Sequence, residues 1–215
     1  RCAGRIPSRA KSVASVYAAM ESDQRIFLVM QKNEEKEEPT QEDLYEAGTI
    51  ARITQVLHQS GMGLRVLIEG ESRARLLSIQ EDEESWVARI KPIKARVAAE
   101  DAEEAQALMR LAKESLNAYA EAGNRLSEDL TRSIRRINDP DDFVDVIAAN
   151  LPTSQEERQA LLSEQSVKQR LETLCVMLAR EVRNANIDRV VQLRIRMQVD
   201  KTQKEYYLRE QMKAI

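Results

Sequence analysis

The chain contains few of the residues that break regular structure. Its 215 residues include only six glycines and five prolines, less than half of the roughly 12% that globular proteins usually devote to these two types. This scarcity argues against a fold with many tight turns and predicts long, mostly helical elements. Aromatic residues are also scarce, at 4%. The hydrophobic content of 42% nevertheless suffices for a core and argues against a disordered chain.

Cysteine and histidine are almost absent. Two cysteines, Cys2 and Cys175, cannot form a disulfide framework, which indicates a reducing compartment. Neither belongs to a CxxC pair, so the sequence predicts no zinc site. Cys175 lies in an apolar stripe and is predicted to be a buried structural thiol. His58 is the only histidine and falls in a predicted strand, which disfavours Ser–His and Cys–His catalysis.

Neither sign of charge dominates, and long hydrophobic runs are lacking. The 33 basic and 36 acidic residues give a net charge of −3, which argues against a dedicated nucleic-acid-binding domain. No apolar run approaches the roughly 18 to 20 residues of a membrane span, and no signal-peptide pattern is found. The sequence therefore predicts no contact with a membrane.

The β signal is concentrated in residues 1–94. A short helix is predicted over 8–21 from the helical spacing of its apolar residues. Five strands are predicted, at 26–30, 49–58, 64–69, 73–79 and 86–90. Two glycines in a five-residue connection predict a hairpin between the second and third strands, and Gly70 is expected to separate the third from the fourth.

From Arg96 onward the apolar period becomes that of helices. One helix is predicted over 98–122, a second from the Ser127 cap to 137, and a third from Asp139-Pro140, since proline at the first helical position loses no hydrogen bond. Thr153 with Glu156, and Ser166 with Gln169, match the capping-box pattern.

The last stretch, 167–215, contains neither glycine nor proline and is predicted to be one helix about 73 Å long. Apolar residues recur at spacings of three and four and predict a helix-packing seam that resembles a coiled coil. The seam consists of Leu171, Leu174, Leu178 and Val182. A helix of this length cannot bury itself entirely against a domain of this size, so its far end is expected to project, to meet a partner, or to continue into a region that the chain lacks.

Catalytic motifs are missing from the sequence. No phosphate loop, dinucleotide fingerprint, nucleophile elbow, zinc-protease or EF-hand spacing is found, and the acidic runs are hydrophilic and predicted to be solvated loops. Arg132, Arg135 and Arg136 share a helical face that could contact phosphates. The competing interpretation is a solvated amphipathic face paired with nearby carboxylates.

Several stretches resemble one family. Residues 64–70 (LRVLIEG) with 73–75, residues 26–29 and 43–53, and residues 203–215 (QKEYYLREQMKAI) are similar to the N-terminal domain of bacterial ATP-dependent Lon proteases, and 148–152 fits the family's helical subdomain. The match covers about residues 8–215 in the family's order. The family normally opens with an apolar strand that residues 1–7 do not resemble, so the first strand is expected to be missing or altered.

The resemblance implies an α+β fold with three parts. These are a small PUA-like β-rich lobe over 1–94, a helical bundle over 95–165, and a long C-terminal helix over 166–215 that leads toward an ATPase module absent from the chain. It also implies a cytoplasmic, homo-hexameric, ATP-driven serine protease. The Walker motifs, the Ser-Lys dyad, ATP and magnesium would belong to that absent part, so this region is expected to be non-catalytic and to hold no cofactor or metal of its own.

The expected role is to recognise unfolded or misfolded protein substrates and to support hexamer assembly. Candidate contacts with substrates or subunits are the isolated apolar residues toward the end of the long helix. They are Met197, Tyr206, Tyr207, Leu208, Met212 and Ile215. The alternative is a purely structural oligomerisation or spacer element. A nucleic-acid-binding module is a further hypothesis that the net charge does not favour.

Overall fold

A computed structural model describes residues 2–5, 10–33, 35–36, 38–59, 63–81, 85–122 and 126–213. The strands are β1 (Cys2–Arg5), β2 (Arg25–Gln31), β3 (Leu44–Gln59), β4 (Gly63–Glu81) and β5 (Trp86–Pro92). The helices are α1 (Ala10–Glu21), α2 (Ala102–Glu121), α3 (Glu128–Arg136), α4 (Pro140–Ala148), α5 (Gln155–Ser163) and α6 (Val167–Lys213). The predicted α+β class, with a β-rich lobe followed by helices and a long C-terminal helix, is confirmed.

The five strands form one antiparallel sheet in the order β1-β4-β3-β2, with β5 also paired to β4. Of the two expectations for the first strand, that it is missing or that it is altered, the former was wrong, because Cys2–Arg5 pairs with β4 from Cys2↔Ile68 to Arg5↔Arg65. This strand is held by main-chain hydrogen bonds, and its sequence, Cys-Ala-Gly-Arg, contains no β-branched residue. Side-chain periodicity therefore could not reveal it.

The predicted break at Gly70 was also wrong, because β4 continues through it to Glu81. The register with β3 shifts between the Ile50↔Ser72 and Ala51↔Gly70 pairs, so Glu71 is an extra residue in a bulge. Its carboxylate accepts hydrogen bonds from Arg25 at 2.8 Å and Arg52 at 2.9 Å. A bulge bends a strand without ending it, so the glycine marks a bend and not a turn.

The core of the β lobe forms where α1 covers the sheet. Val16 and Ala19 of α1 pack with Ile53, Leu64 and Val66 of β3 and β4. These residues follow helical spacing in α1 and alternate along the strands, which places one apolar face of each element at the contact.

Contacts divide the chain into two units: the chain up to Arg96 with Ser154–Gln165, and Val97–Thr153 with the chain from Ser166. This grouping differs from the predicted helical subdomain over 95–165, because α5 belongs to the sheet's unit. The buried Arg73 of β4 donates to the carbonyl oxygens of Leu162 at 3.1 Å and Glu164 at 2.6 Å at the end of α5. Such long-range bonds leave no trace in local sequence.

Three helix starts show how far local chemistry decides the fold. Ser127 accepts from the Leu130 amide and begins α3, and Asp139 caps α4 with Pro140 in its first turn, as predicted. The capping box of α5 lies one residue later than predicted, at Ser154 and Glu157. The predicted and observed pairs both satisfy the S/T-x-x-E pattern, so the pattern alone could not choose between them.

Candidate functional site

The first half of α6 is held in its own unit by an apolar seam. Leu171, Leu174 and Leu178 are fully buried, and Val182 is partly buried. These residues lie on one helical face because their spacings are three and four, and α6 packs against α2 and α4. Three of the four seam residues named from the sequence are thus buried within the unit, and Val182 is partly buried.

Ion pairs fix the same half of the helix. The buried Arg170 donates to the carboxylates of Asp141 and Asp145 on α4. Nearer the surface, the Lys168 ammonium lies 3.2 Å from Asp101 and 2.7 Å from Glu104. Lys168 donates hydrogen bonds to Glu104, which has the larger effect, and to Asp101, and these bonds raise the pKa of Lys168, so its ammonium stays charged throughout the physiological range.

Beyond Ala185, α6 has no buried residue within its described length. Every residue from 186 to 207 is exposed, which corresponds to about 33 Å of helix. Four of the candidate residues are exposed: Met197 at 69%, Tyr206 at 68%, Tyr207 at 63% and, beyond this run, Met212 at 78%. The side chain of Leu208 and the whole of Ile215 lie outside the described part of the structure. We call residues 186–213 the outer half of α6.

Exposed aliphatic side chains also form stripes along the outer half, and the candidate set missed most of them. One stripe recurs every fourth residue and consists of Ile187, Val191, Ile195 and Val199. A second consists of Val190, Leu193 and Met197. Apolar residues at alternating spacings of three and four identify the second stripe but not the first. An unbroken spacing of four is the signal that identifies it, because it also keeps residues on adjacent turns of one side.

Sequence comparison identifies the family to which these features belong. Residues 6–180 match the family model described as the ATP-dependent protease La (LON) substrate-binding domain. The chain belongs to the Lon family. The resemblance predicted from the sequence is thereby confirmed.

Two Lon relatives cover almost the whole chain. The Lon proteases of Clostridioides difficile strain 630 and Brevibacillus choshinensis are each 36% identical to it over 207 residues, which is 95% and 96% of this chain. The chain spans about 26% of the length of each.

A solved Lon domain shares the fold. The N-terminal domain of Mycobacterium avium complex Lon protease superposes with a TM-score of 0.63 at 21% identity, covering 83% of this chain and 90% of that one. At this level of identity the likeness establishes the fold alone.

The described residues of this Lon-family chain include no group of three or more His, Cys, Asp or Glu residues arranged to hold a metal ion. Within the same residues, no helix is both long and apolar enough to cross a membrane. Cys175 is half-buried, and its Sγ lies 3.6 Å from the Leu108 carbonyl oxygen. Burial raises the pKa of this thiol, which makes it less nucleophilic at neutral pH.

The basic residues of α3 are partly engaged within their own helix. Arg132 donates to Asp129, one turn earlier, at 3.2 Å. Arg136 is exposed, and the side chain of Arg135 lies outside the described part of the structure. A carboxylate partner for Arg132 agrees better with a solvated amphipathic face than with a phosphate-binding one.

Proposed function

We propose that the chain is the non-catalytic, substrate-recognising N-terminal region of a cytoplasmic ATP-dependent Lon protease. In this proposal the outer half of α6 contacts unfolded or misfolded protein substrates and neighbouring subunits of a homo-hexamer. The supporting observation is the run of exposed residues from 186 to 207 that carries both aliphatic stripes and two tyrosines.

The chemistry of the outer half suits this role. Unfolded polypeptides expose apolar side chains in no fixed arrangement, so a receptor needs apolar contacts that adapt to different shapes. Methionine is flexible and polarizable and is favoured on promiscuous binding surfaces. Met197 and Met212 are among the most exposed apolar residues of the described chain. Tyrosine adds a large apolar ring with a polar end that tolerates water.

In this proposal the chain needs no cofactor. ATP and magnesium act in the ATPase module of the parent enzyme, which also supplies the peptidase chemistry. The family is that of the substrate-binding domain of an ATP-dependent protease, which supports this division.

The test is the double variant Tyr206→Ser/Met212→Gln in the parent protease. Replacing two apolar contacts by polar ones is expected to weaken binding of a reduced, carboxymethylated unfolded protein about tenfold. Val176→Ser is the matched control, because Val176 is 71% exposed on the first half of the same helix and should leave binding unchanged. Unchanged affinity and unchanged hexamer content in the double variant would contradict both proposed roles of these residues.

The second candidate function is a purely structural oligomerisation or spacer element, and the two aliphatic stripes favour it. Exposed aliphatic residues on more than one side of a helix are typical of a helix covered by other helices. Analytical ultracentrifugation of the 215-residue chain and its Ile187→Gln/Val191→Gln/Ile195→Gln variant separates the two functions. If the original chain associates, the variant does not, and neither binds unfolded protein, the spacer function is supported. If the original chain is a monomer that binds unfolded protein, substrate recognition is supported.

A further inference from the structure

The β lobe contains a place where two neighbouring strands separate. The β3–β4 ladder ends at the Ala47↔Arg75 pair. Beyond this point β3 stays paired with β2 as far as the Gln31↔Leu44 pair, while β4 stays paired with β5 as far as Glu81↔Trp86. Within the described chain, no strand pairs with the β3-facing edge of β4 beyond Arg75.

A cleft of about 410 Å³ occupies the gap between the strands. Its apolar lining includes Leu44, Tyr45 and Leu76, and Lys32, Glu42 and Glu46 add charges of both signs. The volume lies within the roughly 300–1,000 Å³ of ligand-binding pockets. Leu77, the next residue of β4, is 50% exposed.

A single side chain takes the position of the missing strand. The Gln41 amide donates from Nε2 to the carbonyl oxygen of Leu77, and its Oε1 accepts from the amide of Ile79, both at 3.2 Å. These are the bonds that a residue of a neighbouring strand would make. Gln41 is exposed, and both bonds are at the long end of the usual range, so another donor–acceptor pair could replace them.

Gln41 is held at this position by a short 3-10 turn, Gln41–Asp43. The Asp43 carboxylate accepts from the backbone amide and hydroxyl of Thr40, both at 2.7 Å, and from the Lys36 ammonium at 2.6 Å. The turn fixes the backbone of Gln41 while its side chain keeps rotatable bonds. The arrangement therefore keeps the edge of β4 satisfied without closing it permanently.

We propose that this edge of β4 binds an extended segment of an unfolded polypeptide, whose main chain replaces the Gln41 amide and whose apolar side chains enter the cleft. A main chain matches the site because every residue except proline supplies one donor and one acceptor at strand spacing, which is how sheet edges bind peptides. The mixed charges at the rim favour neither a nucleic acid nor an anionic surface. This inference rests on the proposed function and assigns a second substrate-binding surface, on the β lobe.

The test uses a fluorescein-labelled twelve-residue peptide of alternating valine and threonine. Its control has the same sequence with every amide N-methylated, which removes the main-chain donors of both strand edges and keeps the side chains. Binding to the 215-residue chain is measured by fluorescence anisotropy. The unmodified peptide is expected to bind at least tenfold more tightly than the N-methylated one.

The variant Gln41→Met separates edge binding from other modes. Methionine has nearly the same length but neither donates nor accepts through an amide, so the peptide no longer competes with the side chain. Affinity for the unmodified peptide is expected to rise about fivefold. NMR should show shifts of the Ile79 amide and, in the original chain, of the Gln41 side-chain amide when the peptide binds.

The outcomes separate this inference from the proposed function. The edge site would be overturned, and the proposed function would stand, if three results came together. Both peptides would bind equally, the Ile79 amide would not shift, and bound peptide would crosslink only to the outer half of α6. Absence of binding by both peptides and by a reduced, carboxymethylated protein would overturn both. A preference for the unmodified peptide that Gln41→Met strengthens would support the edge site.

Discussion

The ion pairs of Arg170 allow a quantitative prediction because burial is uneven across them. The Arg170 side chain retains 1% of its exposed surface, whereas Asp141 retains 19% and Asp145 44%. Removing both charges with Asp141→Asn/Asp145→Asn leaves the buried guanidinium without these two carboxylates. This loss is expected to lower the free energy of unfolding by about 3–5 kcal/mol.

Removing the arginine should cost less. In Arg170→Met the carboxylates of Asp141 and Asp145 gain contact with water, and the methionine fills part of the space. The expected loss is about 1–2 kcal/mol, below the usual cost of breaking a buried pair because the groups left behind are partly exposed. The triple variant should be close to Arg170→Met, so the coupling in the cycle should equal the loss in the double asparagine variant, about 3–5 kcal/mol.

Urea unfolding of the four chains, followed by far-UV circular dichroism, measures these differences. The slope of free energy against urea should stay constant, so that midpoint shifts report stability. A double asparagine variant that is destabilised less than Arg170→Met would refute the reasoning, because it would mean that the guanidinium is not the group that most needs its partners.

Two further predictions concern the β lobe. A Cβ at Gly48 would lie 2.4 Å from a main-chain oxygen of β2, so Gly48→Ala should lower the free energy of unfolding by about 3 kcal/mol. The control is Gly70→Ala, whose Cβ would have its nearest neighbour at 3.5 Å and whose free energy of unfolding should stay within about 1 kcal/mol of that of the original chain. Equal urea midpoints for the two variants would contradict the predicted clash at Gly48. The pKa of Asp43 is lowered from 3.8 to about 2 by hydrogen bonds from the Lys36 ammonium, the Thr40 hydroxyl and the Thr40 amide, in that order of effect. The Asp43 carboxylate therefore stabilises the 3-10 turn above pH 3.8, and this stabilisation is lost as the pH falls toward 2. Carboxyl-carbon NMR should place this titration near 2, and a midpoint near 4 would show that the bonds do not form in solution.

Features decided within a few residues were predictable from the sequence. Ser127 and the Asp139-Pro140 pair specify helix starts through hydrogen bonds to their immediate neighbours, and the absence of glycine and proline after 166 specifies the long helix. Strand β1 and the placement of α5 were not predictable. They depend on main-chain pairing with β4 and on the bonds from Arg73 to the end of α5, partners about 60 and 90 residues away in the sequence.

The candidate site divides in the same way. Tyr206 and Met212 stand out in the polar stretch beyond Met197, so their residue types named them. The Gln41 bridge to β4 could not be found, because a glutamine in an acidic loop has no distinctive pattern. Its role depends on where β3 and β4 separate, which is a property of sheet register and not of local sequence.

Because its burial is uneven, the continuous helix α6 consists of two segments that differ in stability against local unfolding. We expect amide hydrogens around Leu174 to exchange only when the unit unfolds. Those of residues 186–207 should be protected only by the helix–coil equilibrium of an exposed segment, which is marginal in water. Protection should therefore fall along a single element without any break in its hydrogen-bond ladder. A partner that covers the outer half must supply the free energy that extends cooperative order along the helix, and slower exchange there would record its binding at each amide.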